Sequence, residues 1–344
     1  MLEAAQKQIK RLQQHPDLQD KAALILNEDE LAAKHIPGAI AAVYQPNAAK
    51  CWPYKLVVWL LEQLLSEHDA AAFNLQTNTP VTHLQQCESS WTVHTPRGQI
   101  LARDVLLASN AYTSYLLPKM TGLILPVRGQ VCALEPPLDT TQLPHSYVWI
   151  KGVNNQYLIH RGPEDTQVVK GGKSPSSVDR SLVLGGERLA ALEGEEGVSR
   201  DDEINPIISQ DLHTCLTDAV QLRPGNKSQV EGEPLHSKYE WTGIMGYSSD
   251  NNPWVGRVPE TLISVPGAET GTGRLWVSAG YTGHGMPVAA RCGIAAAEMI
   301  LGKKDGVQLP EGWVASEERV QRARETGMEI PRTVEDIIRM MPAV

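Results

Sequence analysis

The run from Leu275 to Leu301 constrains this 344-residue chain more than any other part of it. Leu275-Trp-Val-Ser-Ala279 is a short apolar run, of the kind that forms a strand buried on both faces. Gly280-Tyr-Thr-Gly-His-Gly-Met-Pro287 comes next, and its three glycines allow a sharp turn and a close backbone approach. Pro287 suits the first turn of a helix, where its missing N–H costs nothing. The run from Val288 to Leu301 is small-residued almost all round and predicts a helix against which something packs tightly, stopped by Gly302. Strand, glycine turn and helix together present free backbone N–H groups and a positive dipole end, which suit an anionic or electron-rich ligand edge.

Length and composition bound the rest of the chain. Its length allows two domains and a sizeable core. A net charge of −9 without a basic cluster argues against nucleic acid as a partner. Cys51, Cys87, Cys132, Cys215 and Cys292 are scattered and include no CxxC pair, so neither a disulfide framework nor a metal site is expected. No apolar run is long enough to span a bilayer. The first ten residues carry charges where a signal peptide needs an apolar core. The expectation is a soluble, cytoplasmic protein that does not engage membranes.

Leu2, Ala5, Ile9 and Leu12 recur at helical spacing. Asn27-Glu-Asp-Glu30 reads as a cap opening a second helix that runs to Pro37-Gly38, and Trp52 to Leu65 as a third. A strand is expected at Asn74-Leu-Gln-Thr-Asn-Thr-Pro-Val81. A hairpin comes after it, with Trp91 to Thr95 turning at Pro96-Arg-Gly98. Val105-Leu-Leu-Ala108 reads as a buried strand ending at Ser109-Asn-Ala-Tyr-Thr113. Further strands are expected at Tyr147 to Ile150, Tyr157 to His160 and Thr166-Gln-Val-Val169, and a helix through Ile208, Leu212, Leu216 and Val220. Gly172-Lys-Ser174 resembles the tail of a phosphate-binding loop, but Gln167 stands where that motif needs glycine, and the reading is rejected. The tail beyond Ser316 suggests two short surface helices.

Several of these pieces resemble one family in order. Gly280-Tyr-Thr-Gly-His-Gly-Met-Pro287 is similar to the C-terminal flavin motif of FAD-dependent oxidoreductases of the D-amino-acid oxidase type, which include glycine and sarcosine oxidases. The Pro53-Tyr-Lys-Leu56 helix, the Thr79-Pro-Val81 segment, the hairpin, and Ala108-Ser-Asn-Ala-Tyr112 match in the same order. Leu125-Pro-Val-Arg-Gly-Gln130 resembles the crossing into the substrate domain. Trp241-Thr-Gly-Ile-Met-Gly246 resembles the segment beside the flavin, which continues to a Pro-x-x-Gly turn at Pro253 to Gly256. The resemblance covers about 45 to 304. It implies an α/β, Rossmann-like three-layer cofactor domain over 45–124 and 257–304. A mixed-sheet substrate domain would comprise 1–44 and 125–256, leaving 305–344 as a helical tail.

The resemblance also implies roles. Val81 would meet the adenine end of FAD and Ser109 and Asn110 would lie near the dinucleotide. Gly280, Tyr281, Gly283, His284, Gly285 and Met286 would face the flavin ring. His284 could instead be a plain surface turn residue. Tyr157 and Arg161 are candidates for substrate binding, Arg161 as a bidentate carboxylate partner, though a surface arginine is the simpler reading. Trp241 could wall a pocket or belong to the core. Cys292 is read as packing rather than a flavin attachment point. No catalytic dyad is identified, because oxidation of an amine needs a hydride acceptor more than a protein base.

One departure stands against these matches. The family opens with a strand, G-x-G-x-x-G and a helix that hold the FAD diphosphate. No G-x-G-x-x-G occurs in the sequence, and Gly271-Thr-Gly273 lacks the third glycine. Met1 is therefore expected to start inside the family pattern, after that unit. Two functions are expected from this balance: an FAD-dependent oxidoreductase acting on a C–N bond of a small amine or amino acid, or a repurposed relative that does not hold FAD stably.

Overall fold

A computed structural model of the chain describes residues 1–151, 154–162, 179–216, 219–223, 234–263, 273–303 and 305–327. The strand expected at 166–169, the phosphate-loop-like 172–174, Gly271-Thr272 and the tail beyond 327 lie outside the described residues.

In chain order the first elements are α1 (Leu2–Gln13), β1 (Ala23–Ile25), α2 (Glu28–Ala33), β2 (Ala42–Tyr44) and α3 (Pro53–Glu67). Next come β3 (His83–Gln86), β4 (Trp91–Thr95), β5 (Gly98–Ala102), β6 (Asp104–Leu107), α4 (Thr113–Leu116) and β7 (Ile124–Leu134). The middle holds β8 (Tyr147–Lys151), β9 (Asn154–His160), β10 (Leu182–Gly186), α5 (Pro206–Thr214) and β11 (Ser237–Ser248). The chain then runs through β12 (Trp254–Arg257), α6 (Glu260–Ile263), β13 (Arg274–Ala279), α7 (Gly285–Ile300) and α8 (Glu317–Thr326).

Two sheets matter for function. The first has the order β12-β13-β6, with β13 parallel to β6 in the register Leu275↔Val105 and Val277↔Leu107. This is the pairing that two short apolar runs ending in turn residues predict. Its core joins Leu107, Ile124, Trp254, Leu275, Val277 and Ala279. The second sheet is antiparallel throughout, in the order β11-β7-β10-β9-β8. One face buries Cys132, Leu134, Leu158, Leu182 and Leu184 against Ile208 and Leu212 of α5. The N-terminal segment docks on the same body: the Gln221 N–H donates to the His35 carbonyl at 2.7 Å, and Ile36 packs on this core.

Some local expectations need correction. The segment 74–81 is a turn with Asn78 at φ +51, and the strand begins only at His83. Asn74, Asn78 and Pro80 favour turns more than the apolar residues between them favour a strand. Pro253 to Gly256 is not a turn, since β12 occupies Trp254–Arg257 and pairs with β13. The second helix ends at Ala33, before Pro37, where His35 adopts φ +60. The long strand β7 was hidden by Pro126 and Gly129. Pro126 is tolerated because β10 reaches only as far as Val131, and the Pro126 carbonyl accepts the Gly197 N–H instead.

The helices α3 and α7 are less covered than their composition suggests. Among the described residues of α3 none is buried, and Leu56, Val57, Trp59, Leu60 and Leu65 each expose about half their surface. On α7, Cys292, Ala295 and Ala296 are buried, but Met286 and Ile294 are exposed, so the helix is packed on one side only. Strand β6 is an edge of its sheet, and its Leu106 is exposed. Parallel strands normally need cover on both faces. No helix among the described residues is long and apolar enough to cross a membrane.

Candidate active site

The turn from Gly280 to His284 is built by bonds that leave the start of α7 open. Gly280 and Gly283 adopt φ +78 and +75, and Thr282 φ +51. Gly280 lies against the core, where a Cβ would stand 3.2 Å from Ile124 Cδ1 and 3.3 Å from Trp254 Cδ1. Asn110, itself at φ +45, sets the turn in place. Its Oδ1 accepts the Gly280 N–H at 2.9 Å and the Tyr281 N–H at 3.4 Å. The Thr282 N–H donates to the Gly246 carbonyl at 2.7 Å, and Thr282 Oγ1 accepts the Ser248 N–H at 3.0 Å. The turn is thus clamped between the end of β6 and the end of β11.

At the helix entrance His284 is the N-cap, and it makes no side-chain cap. Its Nδ1 lies 2.7 Å from the Thr282 carbonyl. A carbonyl only accepts, so Nδ1 carries the hydrogen and Nε2 is left to accept from another group. The first N–H groups of α7 have no partner within the helix and lie at its positive end. Tyr281 turns inward, sharing a 2.7 Å hydrogen bond with Ser278, and burial pushes its phenol pKa up. Cys292 is fully buried beside it, with its thiol also pushed up by burial, as packing requires.

The second sheet meets the turn edge-on. Odd-numbered residues of β11 share one face, from Trp241 through Gly243 and Met245 to Tyr247. A Cβ on Gly283 would stand 3.5 Å from the Tyr247 hydroxyl and 3.7 Å from Met245 Sδ. The open face of the sheet therefore ends at the glycine turn. Trp241 is 40% exposed, which removes it from the core and places it on this face. Tyr157 lies in the same row, through Trp241↔Val131, Val131↔Gly185 and Gly185↔Tyr157.

Arg161 is placed differently. It lies beyond β9 at the end away from the turn, bonded to Asp179 at 2.6 Å and with its guanidinium 4.1 Å from the Trp52 ring centre. Arg188 is nearer the turn, 5.4 Å over the Tyr247 ring, donating to the Gly194 carbonyl at 3.0 Å and lying 3.6 Å from Glu196. Arg128 points to the buried side, where it pairs with Glu195. Ser109 Oγ bonds Thr113 Oγ1 at 3.0 Å. Val81 precedes β3, whose sheet is separate from both of these. The sequence reading missed Met245, Tyr247, Arg188 and Thr282. Alternation along 241–247 was the available signal for the first two.

This clamped turn, opening an uncapped helix after a parallel strand, sits within a longer match. Residues 1–299 match the family model described as DAO, FAD dependent oxidoreductase. The chain belongs to the family of FAD-dependent oxidoreductases. Among curated relatives, a probable oxidoreductase OrdL of Haemophilus influenzae is 23% identical over 243 residues, covering 68% of this chain and 44% of that protein. One from Rhizobium meliloti is 24% identical over 268 residues, covering 75% and 48%. The chain thus spans about half the length of the curated relatives it matches.

Among solved structures, glycine oxidase from Geobacillus kaustophilus has a TM-score of 0.61 at 18% identity, covering 86% of this chain and 67% of that one. Iminodiacetate oxidase from a Chelativorans species has a TM-score of 0.62 at 16% identity, covering 91% and 72%. These likenesses show the shared fold.

The family is FAD-dependent, and the residues present fit the cofactor on one side. The bare helix entrance and the glycines beside it leave room and N–H groups for the electron-rich edge of a flavin ring. The diphosphate is another matter, since no G-x-G-x-x-G occurs anywhere in the sequence.

Proposed function

We propose that this chain forms the ring-facing and substrate-facing parts of an FAD-dependent oxidoreductase that oxidises a C–N bond of a small amine or amino acid. The observation that carries the reading is the uncapped N-terminus of α7, reached through a turn that Asn110 and Thr282 hold against the open sheet face. When bound, FAD supplies the hydride acceptor. Gly283, Gly285 and Met286 would line the ring edge, and the helix dipole would favour the negative charge that develops there. Tyr247, Met245, Trp241 and Tyr157 would orient the substrate carbon, and His284 Nε2 would accept a hydrogen bond at the rim. The turn and parallel pair, with 45–124 and 257–304, would form the cofactor domain, and 1–44 with 125–256 the substrate domain.

The test is anaerobic mixing of the chain with FAD and a panel of amines and amino acids, monitoring loss of the flavin absorption band. Bleaching by an amine supports the reading, and a flavin left oxidised by every amine and amino acid rejects it. A second reading is a relative that does not hold FAD stably, either repurposed or working with a partner. The exposed edge of β6 and the bare apolar side of α3 favour it. Flavin lost on gel filtration, with no bleaching at saturating FAD, supports that alternative.

A further inference from the structure

The open face of the five-stranded sheet bears on which amine the chain oxidises, and a substrate assigned to it rests on the amine-oxidation reading. Across the sheet, Trp241, Val131, Gly185, Tyr157 and Val148 form one row of directly paired positions. Trp241, Tyr157 and Val148 are exposed, at 40, 37 and 74%. Tyr157 does not stand upright. A Cβ on Gly185 would clash with its hydroxyl oxygen, so the phenol reclines across the bare backbone of β10, toward Val131 and Trp241. Burial of that end pushes its pKa up to about 12, and the hydroxyl stays neutral.

Between this row and the glycine turn lies a gap. Gly129 and Gly243 are paired directly, and a Cβ on Gly243 would meet nothing within 4 Å. Met245 covers part of Gly129, its methyl 3.0 Å from where a Cβ would be. The path from Tyr247 to Trp241 is therefore a floor without side chains at its centre, walled by a thioether and two aromatic rings.

Charge on this face is already committed. Arg188 faces Tyr247 but is shared with Glu196 and the Gly194 carbonyl, and Arg161 is tied to Asp179. Lys238 is at the far end, 5.8 Å over the Tyr239 ring. An aromatic and thioether surface binds apolar groups, and its ring faces attract ammonium ions rather than carboxylates. The chain's net charge of −9 acts in the same sense.

We infer that this face takes an amine bearing an extended apolar or aromatic substituent, laid along the Gly129–Gly243 floor between Met245 and the exposed rings of Trp241 and Tyr157. Gly243 is then a specificity-determining position: it contributes space. Because a side chain there meets no neighbour and the strand geometry is ordinary, Gly243→Leu should fold as well as the parent.

The experiment is calorimetric titration of the full chain, without FAD, using phenylbutylamine, phenylbutyrate and glycine, with Gly243→Leu and Trp241→Ala in parallel. Phenylbutylamine should bind at least about tenfold tighter than the other two, the difference expected from apolar contact plus a cation on ring faces. Each substitution should weaken it by about tenfold while the melting temperature of Gly243→Leu stays at or above that of the parent. Phenylbutyrate or glycine binding as tightly, Gly243→Leu binding normally, or no binding of any probe overturns the inference. Because FAD is absent, failure here leaves the flavin reading to be judged by flavin bleaching alone.

Discussion

Replacing Asn110 by alanine should loosen the glycine turn, and the structure sets the size of the effect. The Asn110 Oδ1 accepts the N–H of buried Gly280 at 2.9 Å and that of half-buried Tyr281 at 3.4 Å. Alanine leaves the Gly280 donor without a partner, at a cost of about 1–3 kcal/mol. Water can replace the longer bond to Tyr281, which adds roughly 0.5 kcal/mol. Asn110 also sits at φ +45, a conformation that asparagine tolerates and that costs alanine about 1 kcal/mol. The loss should therefore be about 2.5–4.5 kcal/mol in urea unfolding at unchanged slope. Asn110→Gly removes the bonds but not the backbone tolerance, and should fall between parent and alanine. Asn110→Asp keeps an acceptor and should stay within about 1 kcal/mol of the parent. If Asn110→Ala unfolds within about 0.5 kcal/mol of the parent, the turn is held by something else.

Three further outcomes are expected elsewhere in the structure. A Cβ at Gly285 would make only ordinary contact with Tyr281 at 3.5 Å, so Gly285→Val should leave urea unfolding within about 1 kcal/mol while weakening flavin binding by about tenfold or more; equal stability with unchanged flavin affinity would count against the ring-edge assignment. Arg319 is fully buried, bonded to both Asp250 oxygens and to the carbonyls of Asn252, Pro253 and Trp313, with its guanidinium 3.8 Å from the Trp254 ring centre; Arg319→Met should cost about 3–5 kcal/mol by urea unfolding, and a loss under about 1 kcal/mol contradicts its role as the anchor of α8. Burial alone would raise the Asp104 carboxyl, but bonds from Arg274, Trp276 and Arg103 hold it down at about 2, so its contribution is present above about pH 4 and lost as pH falls toward 2; Asp104→Asn should flatten that part of the acid-unfolding profile, and an unaltered profile contradicts the assignment.

The parallel pair and the glycine turn were legible in the sequence because both depend on local signals. Val105 to Leu107 and Leu275 to Val277 are apolar runs, and Gly280 and Gly283 are required at positive φ. The Asn27 cap was legible for the same reason, its Oδ1 accepting the Glu30 N–H at 3.0 Å. What was not legible depends on distant partners. Strand β7 carries a proline that is tolerated because β10 reaches only as far as Val131. Arg161 read as a surface arginine or a candidate anchor, and nothing local shows that it is tied to Asp179, 18 residues on. The small residues of α7 call for a tight packing partner, which it meets on one side only, and the apolar edges of α3 give no local sign that none of its residues is buried. At the site, Gly243 and Gly185 gave no local sign that they shape the open face, since that role appears only when β11, β7, β10 and β9 are set side by side.

The most direct test is a titration of the 344-residue chain with FAD and, separately, with riboflavin, by calorimetry on a monodisperse sample. The chain offers N–H groups to the ring edge but no G-x-G-x-x-G for the diphosphate. Each charge-assisted bond is worth roughly 1.5–3 kcal/mol, so lacking two or three costs about 3–9 kcal/mol, on the order of a hundredfold to a millionfold in affinity. The account predicts FAD binding weaker than about micromolar and within roughly tenfold of riboflavin, because both then rest on the same ring contacts. Submicromolar FAD binding with riboflavin far weaker would contradict it, showing that this chain grips the diphosphate by other means.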